Sequence, residues 1–166
     1  MKVRGVQVEG KSPTAQIIGS EVRQALLSMN AIESVSRNGQ GALGGQIVIG
    51  TPESSPLIRG LGWKEELAKV GAEGYIIRGT TFGKQSGIAI ASNGDVGALY
   101  GAYHFLRLIQ TAQSIDKLNI VEHPRVQLRM INHWDNMDGT IERGYAGRSL
   151  WQWNELPDKV DQRYTD

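Results

Sequence analysis

The stretch Ile88-Ala89-Ile90-Ala91-Ser92-Asn93-Gly94-Asp95-Val96-Gly97-Ala98-Leu99-Tyr100-Gly101-Ala102-Tyr103-His104-Phe105-Leu106 decides the fold. Its first four residues are a continuous apolar run, which reads as a strand. Ser92-Asn93-Gly94-Asp95 is turn chemistry that can cap a following helix. From Val96 to about Gln110 the apolar residues recur at helical spacing, with Leu99, Tyr103 and Leu106 expected on one face. Gly97 and Gly101 lie one above the other on that helix. Each costs about 1 kcal/mol relative to Ala in a helix interior, so a packing reason is expected: lacking side chains, they let the helix press closely on a sheet.

Strands and helices alternate upstream. Val3 to Val8 reads as a short strand with Val6 and Val8 on one face. Ser12-Pro13 opens a helix, Ser as N-cap and Pro at the first helical position. Ile18, Val22, Leu26 and Met29 form its apolar stripe, and Asn30 stops it. Gln46 to Gly50 is a buried strand ended by Gly, and Thr51-Pro52 a polar turn. Trp63 to Val70 is a short helix with Trp63, Leu67 and Val70 on one side and Gly71 as its stop. Gly74 to Arg78 and Leu118 to Val121 read as further strands. Arg78 to Gln85 reads as a hairpin connection between the Gly74 and Ile88 strands. It is one residue short between its glycines for a phosphate loop, and Gln85 stands where Ser or Thr would hold magnesium. The order implies an α/β fold of the α+β type, a mixed sheet with helices packed on it.

Pro124-Arg125 is a break. We place an α/β domain over residues 1–123 and a second unit over 124–166. The latter begins with an alternating strand, Val126 to His133, and runs into a chemically dense loop. The tail from Trp151 to Asp166 is polar and ends in mid-pattern, which suggests truncation.

The 166 residues carry a formal net charge of +1, with 40% hydrophobic and 21% charged residues, and no Cys. That balance is ordinary for a globular protein. It offers no excess of Lys and Arg for nucleic acid or an anionic membrane, and no thiolate for a disulfide or metal. No apolar run approaches the roughly 20 residues of a membrane span. The first residues carry no apolar core of a signal peptide, so the native protein is cytoplasmic, or is periplasmic or extracellular with a leader outside this chain. His104, His123 and His133 lack metal-ligand spacing, and no cofactor is implied.

The dense loop is Asn132-His133-Trp134-Asp135-Asn136-Met137-Asp138-Gly139-Thr140-Ile141-Glu142-Arg143-Gly144-Tyr145. Sugars are held by such a mixture, an aromatic face with planar polar side chains, and Arg143 can pair with a substrate carboxylate. This run, continued to Gly147, resembles the signature of the α-glucuronidases of glycoside hydrolase family 67 at their first barrel strand. Leu99 to Gln110 is similar to the last helix of that family's amino-terminal domain, and His123-Pro124-Arg125 with Arg129 to the lead-in to its barrel. The resemblance is close over about residues 95–153 and extends only to layout over 1–94.

The resemblance implies a hexosaminidase-like amino-terminal domain, then a (β/α)₈ barrel of which this chain holds the first strand, then a helical region. It implies hydrolysis, with inversion, of the α-1,2 link of glucuronic acid or its 4-O-methyl ether to xylo-oligosaccharides. The substrates would be glucuronoxylan-derived oligosaccharides, and the full-length enzyme a possible homodimer. Inversion needs a carboxylic acid and a carboxylate base. In the family both lie on later barrel strands, so no catalytic residue is expected here and the chain alone should be inactive. Substrate-binding candidates by position are Trp134, Asp135, Asn136, Glu142 and Arg143.

Plainer readings stand beside these. Trp134 is equally a core aromatic, Glu142 and Arg143 a structural ion pair, and Asp135 and Asn136 turn-formers. Trp151 and Trp153 are read as core residues rather than sugar platforms. The rival function is a non-catalytic carbohydrate-binding or interaction domain. A hexosaminidase proper is disfavoured, because such enzymes lack the long signature.

Overall fold

The computed structural model describes residues 5–31, 45–130 and 155–159. The chain divides into two compact units, residues 1–125 and 126–166. In the first, β1 (Gly5–Val8), α1 (Pro13–Ser28), β2 (Gln46–Gly50), α2 (Pro56–Gly60), α3 (Lys64–Val70), β3 (Tyr75–Phe82), β4 (Gln85–Ser92), α4 (Asp95–Gln110) and β5 (Asn119–Glu122) follow in order. The sheet runs β1-β2-β4-β3-β5. β1, β2 and β4 are parallel, and β3 is antiparallel to both of its neighbours. This is the mixed sheet with packed helices that the sequence implies.

Register explains which face each helix covers. Val8, Ile49, Ile90, Ile77 and Ile120 stand in one row across all five strands, an unbroken aliphatic band. α1 lays Ile18, Val22 and Leu26 on that face, and α4 adds Ala98, Ala102 and Phe105. One residue along, the side chains point the other way. Val48, Ala89, Ala91 and Ile76 form a smaller core there with Ile58 of α2 and Leu67 and Val70 of α3. The row through Val48 and Ala89 ends in Gln7 on one side and in Arg78 and Asn119 on the other, so this second core narrows to a polar margin. Burying each Ile fully contributes about 1.5–3 kcal/mol, which makes the α1/α4 face the principal source of cohesion.

The two Ser-Pro pairs start helices in the same way. Ser12 Oγ accepts from Ala15 N at 3.0 Å and Ser55 Oγ from Ile58 N at 3.0 Å. The first opens the expected α1. The second opens α2, a single turn ended at Gly60, which the apolar spacing does not reveal because only Ile58 is buried. Trp63 stands at the N-cap of α3, and Gly71, at φ 74°, ends that helix.

Three expectations need correction. The stripe Leu99–Tyr103–Leu106 is only partly buried: Leu106 is in the core and Leu99 packs against it, but Tyr103 is 48% exposed. α4 buries Gly97, Ala98, Gly101, Ala102, Phe105, Leu106 and Leu108, turning its small residues to the sheet. The connection expected over Arg78 to Gln85 is mostly strand: β3 and β4 pair as far as Phe82 and Gln85, leaving only Gly83 and Lys84 as the turn. The strand expected over Val126 to His133 is not formed across residues 126–130. A strand exists only through a partner's hydrogen bonds, and Val126, Leu128 and Met130 are 61%, 74% and 74% exposed. Residues 131–133 lie outside the described residues.

The glycines of α4 have the expected packing reason. A Cβ at Gly97 would stand 2.1 Å from Ser92 Oγ and 2.7 Å from Gly74 O, and one at Gly101 2.7 Å from Ile90 Cγ2. Ser92, fully buried, donates to Gly74 O at 2.6 Å beneath that contact. Beside Gly101, Tyr75 packs on the helix, and its hydroxyl meets His104 Nδ1 at 2.8 Å. On the opposite layer Arg78 clamps α3. It makes a paired contact with Glu66, Nη1 to Oε1 at 3.1 Å and Nη2 to Oε2 at 2.7 Å. Its Nε donates to Asn119 Oδ1 at 2.7 Å, and its guanidinium lies 4.7 Å from the Trp63 ring centre. The hydrogen bonds from Arg78 hold the Glu66 carboxyl below the ordinary carboxylate range.

Two outcomes follow for measurement. Gly97→Ala should lower stability by about 1–3 kcal/mol in thermal melts, since backbone and a buried hydroxyl block the new methyl. Gly101→Ala should cost less, because the obstacle is a side-chain methyl and Ala gains helix propensity. A Gly97→Ala chain that melts with the parent would refute the close contact. For Glu66, a lowered pKa means stability that is present above the unfolded carboxylate range and lost as pH falls through the folded value. In NMR titration Arg78→Met should move the Glu66 midpoint upward, and an unmoved midpoint would remove Arg78 as the cause.

Candidate functional site

Parallel β1, β2 and β4 end side by side, and their following loops part to opposite layers: α1 and α4 on one face, α2 on the other. Such a divergence leaves a crevice beyond the carboxyl ends of the strands, where α/β sheets usually bind ligands. Here the crevice is a polar cleft of about 300 Å³, lined by Gly10, Lys11, Thr51, Glu53, Ser54, Asn93, Gly94 and Asp95.

Each loop is built by short polar residues. After β2, Thr51 N donates to Ser54 Oγ and Ser54 N to Thr51 Oγ1, both at 3.1 Å, closing a tight turn. Ser54 Oγ then donates to Glu9 O at 2.9 Å and ties that turn to the end of β1. Gly10, at φ 142°, brings the chain so near α1 that a Cβ would stand 2.9 Å from the Ala15 Cβ. Ser12 Oγ, already the cap of α1, donates to Asp95 Oδ2 at 2.5 Å and joins the starts of the two large helices. Asn93 Nδ2 donates to Leu67 O at 2.6 Å and Gly71 O at 3.2 Å, fixing the β4–α4 corner to the end of α3.

The cleft therefore carries Glu53 and Asp95 with the ammonium of Lys11, but most of its hydroxyl and amide groups are committed to holding the loops. Among the described residues that line it, none is an aromatic against which a sugar ring could stack. Chemically it is a hydrogen-bonding seam between loops more than a reaction centre. The cleft is not apparent in the sequence, because Ser, Thr and Asn in loops read as turn chemistry whether or not the loops converge.

The five expected substrate-binding residues, Trp134, Asp135, Asn136, Glu142 and Arg143, lie outside the described residues, as do His133, Trp151 and Trp153. His104 meets Tyr75, and His123 Nδ1 lies 3.3 Å from Pro124 O. Among the described residues no group of three or more His, Asp or Glu is placed to hold a metal ion. The glycine-bearing stretch from Arg78 to Gln85 is a β-hairpin with no helix at its end, so it lacks the geometry of a phosphate loop.

Comparison with known proteins gives two family matches that follow one another along the chain. The description "Glycosyl hydrolase family 67 N-terminus" covers residues 2–105 and "Glycosyl hydrolase family 67 middle domain" residues 108–166. Among curated relatives, a "Probable alpha-glucuronidase A" of Neosartorya fischeri is 28% identical over 141 residues, 85% of this chain and 16% of the relative. An "Alpha-glucuronidase A" of Aspergillus tubingensis is 41% identical over 64 residues, 39% of this chain and 8% of the relative. A solved "family GH115 4-O-Methyl-alpha-glucuronidase" has a TM-score of 0.49 at 19% identity, over 64% of this chain and 13% of that one. The chain thus spans about 16% of the length of the Neosartorya relative. With one family description over residues 2–105 and a second over 108–166, the chain belongs to glycosyl hydrolase family 67.

Proposed function

We propose that this chain is the amino-terminal domain and first catalytic-region segment of an α-glucuronidase, and that it supports catalysis without performing it. The longer protein would hydrolyse the α-1,2 link between glucuronic acid, or its 4-O-methyl ether, and xylo-oligosaccharides, with inversion. The carrying observation is the succession of the two family matches, with β1 to most of α4 in the first and β5 and the Asn132–Gly147 signature in the second. The relatives' names add the activity class, and the length ratio adds room for a barrel elsewhere.

Within that reading Trp134, Asp135, Asn136, Glu142 and Arg143 belong to the rim and floor of the uronic-acid pocket. Trp134 would give an apolar face to the ring's C–H groups, and Arg143 a paired contact to its carboxylate. An inverting site needs two carboxyl groups about 6.5–9.5 Å apart to admit a water. In the described cleft Asp95 already accepts the Ser12 hydroxyl, and the neighbouring groups bind backbone, which suits a scaffold.

The test compares this chain with a family member of the relatives' full length on aldouronic acids, following release of the free uronic acid by NMR. The full-length protein should release it as the inverted anomer, and this chain should release none. Arg143→Ala in the full-length protein should weaken transition-state binding by about 1.5–3 kcal/mol, the worth of hydrogen bonds to a charged group. Turnover by this chain alone would overturn the scaffold assignment, and an unchanged Arg143→Ala enzyme would remove that residue from the pocket.

A further inference from the structure

Asn93-Gly94 forms the corner between β4 and α4. In an Asn-Gly pair the following backbone nitrogen can reach the side-chain amide carbon with little obstruction, because Gly has no Cβ. Asn93 is exposed, so burial does not shield it. Hydrogen bonds do. Its Nδ2 donates to Leu67 O at 2.6 Å and Gly71 O at 3.2 Å. Both partners are carbonyl oxygens, which fixes this end of the amide as the nitrogen. Gly94 N, the potential attacking atom, donates to Ser92 Oγ at 3.2 Å. Ser92 is fully buried and held to Gly74 O at 2.6 Å, so that acceptor is rigid.

We propose that Asn93 is a deamidation site latched by the fold, reacting only when the α3–β4–α4 corner opens and unable to re-form its bonds afterwards. Gly94 N attacks Asn93 Cγ: the N–Cγ bond forms, the Cγ–Nδ2 bond breaks, and ammonia leaves with the Gly94 amide proton. Water then opens the succinimide to Asp or isoaspartate. Overall, water is consumed and ammonia released, with no oxidant or reductant. The resulting carboxylate has no proton to give Leu67 O or Gly71 O. The corner that joins α3 to the start of α4 is then lost.

The experiment incubates the whole chain at mildly alkaline pH, folded and in urea, and follows residue 93 by peptide mass spectrometry. Conversion should be about tenfold or more slower in the folded chain, as for any group reached only through local opening. Equal rates would overturn the latch. Hydrogen exchange on Asn93→Asp should show faster exchange across α3 with α1 unchanged, and unaltered α3 protection would overturn the one-way loss. The kinetic comparison needs no variant, so it decides the latch even if Asn93→Asp fails to fold.

Discussion

The fold depends on how near α4 comes to the sheet. With Gly97 over Ser92 and Gly74, and Gly101 over Ile90 and Tyr75, the helix axis approaches by the depth of a missing methyl group. That approach sinks Phe105 fully, sets Ala98 and Ala102 against the aliphatic row, and brings α4 beside α1. A helix with ordinary side chains at these positions would stand away, and Ile77, Ile88 and Ile90 would lose contact along one face. Interiors are packed to crystal density, so such a gap forfeits dispersion as well as burial. The two glycines weaken the isolated helix by about 1 kcal/mol each relative to Ala, and the sheet contact offsets that cost.

The same approach determines what happens at the strand ends. Because α4 starts directly beneath the corner after β4, its first residue, Asp95, comes within reach of the Ser12 hydroxyl that caps α1. The two large helices therefore begin from one shared hydrogen-bond centre. Ser54 draws the β2 loop onto the end of β1, and Asn93 draws the end of α3 onto the end of β4. The cleft that other α/β sheets leave open for a ligand is here laced by short polar side chains.

Much of the fold was legible because its local signals agree. Ser12-Pro13, the Ile18–Val22–Leu26 stripe, the Gln46–Gly50 run and Gly71 as a stop each state their element through local chemistry, and tertiary structure does not override them. Gly97 and Gly101 announced a close contact because nothing else repays two glycines in a helix. The errors came where burial is decided non-locally. Tyr103 reads as apolar by spacing but faces outward, since the sheet accepts the small residues instead. Thr80 and Thr81 read as a connection, yet pairing with Gly87 and Ser86 extends the strand. α2 is one turn long, too short for periodicity to show. The cleft was invisible because three loops far apart in sequence build it, and sequence spacing carries no information on which loops converge.

The candidate pocket residues were read by a different route, from residue chemistry after a strand and from likeness to a family, and the two kinds of inference reach different depths. Family membership rests on the whole chain, so it does not depend on the position of any one side chain. A residue's role depends on geometry within about an ångström, which a pattern of Trp, Asp, Asn, Glu and Arg cannot supply. A structural ion pair and a carboxylate clamp use the same Arg and the same planar hydrogen bonds, as the Arg78–Glu66 pair illustrates: its bidentate geometry links α3 to the sheet. What separates the two uses is whether the acceptor is supplied by the chain or by the substrate. For Arg143 that distinction is energetic: an internal partner would stabilise the fold with or without sugar, whereas a substrate partner contributes only in the complex.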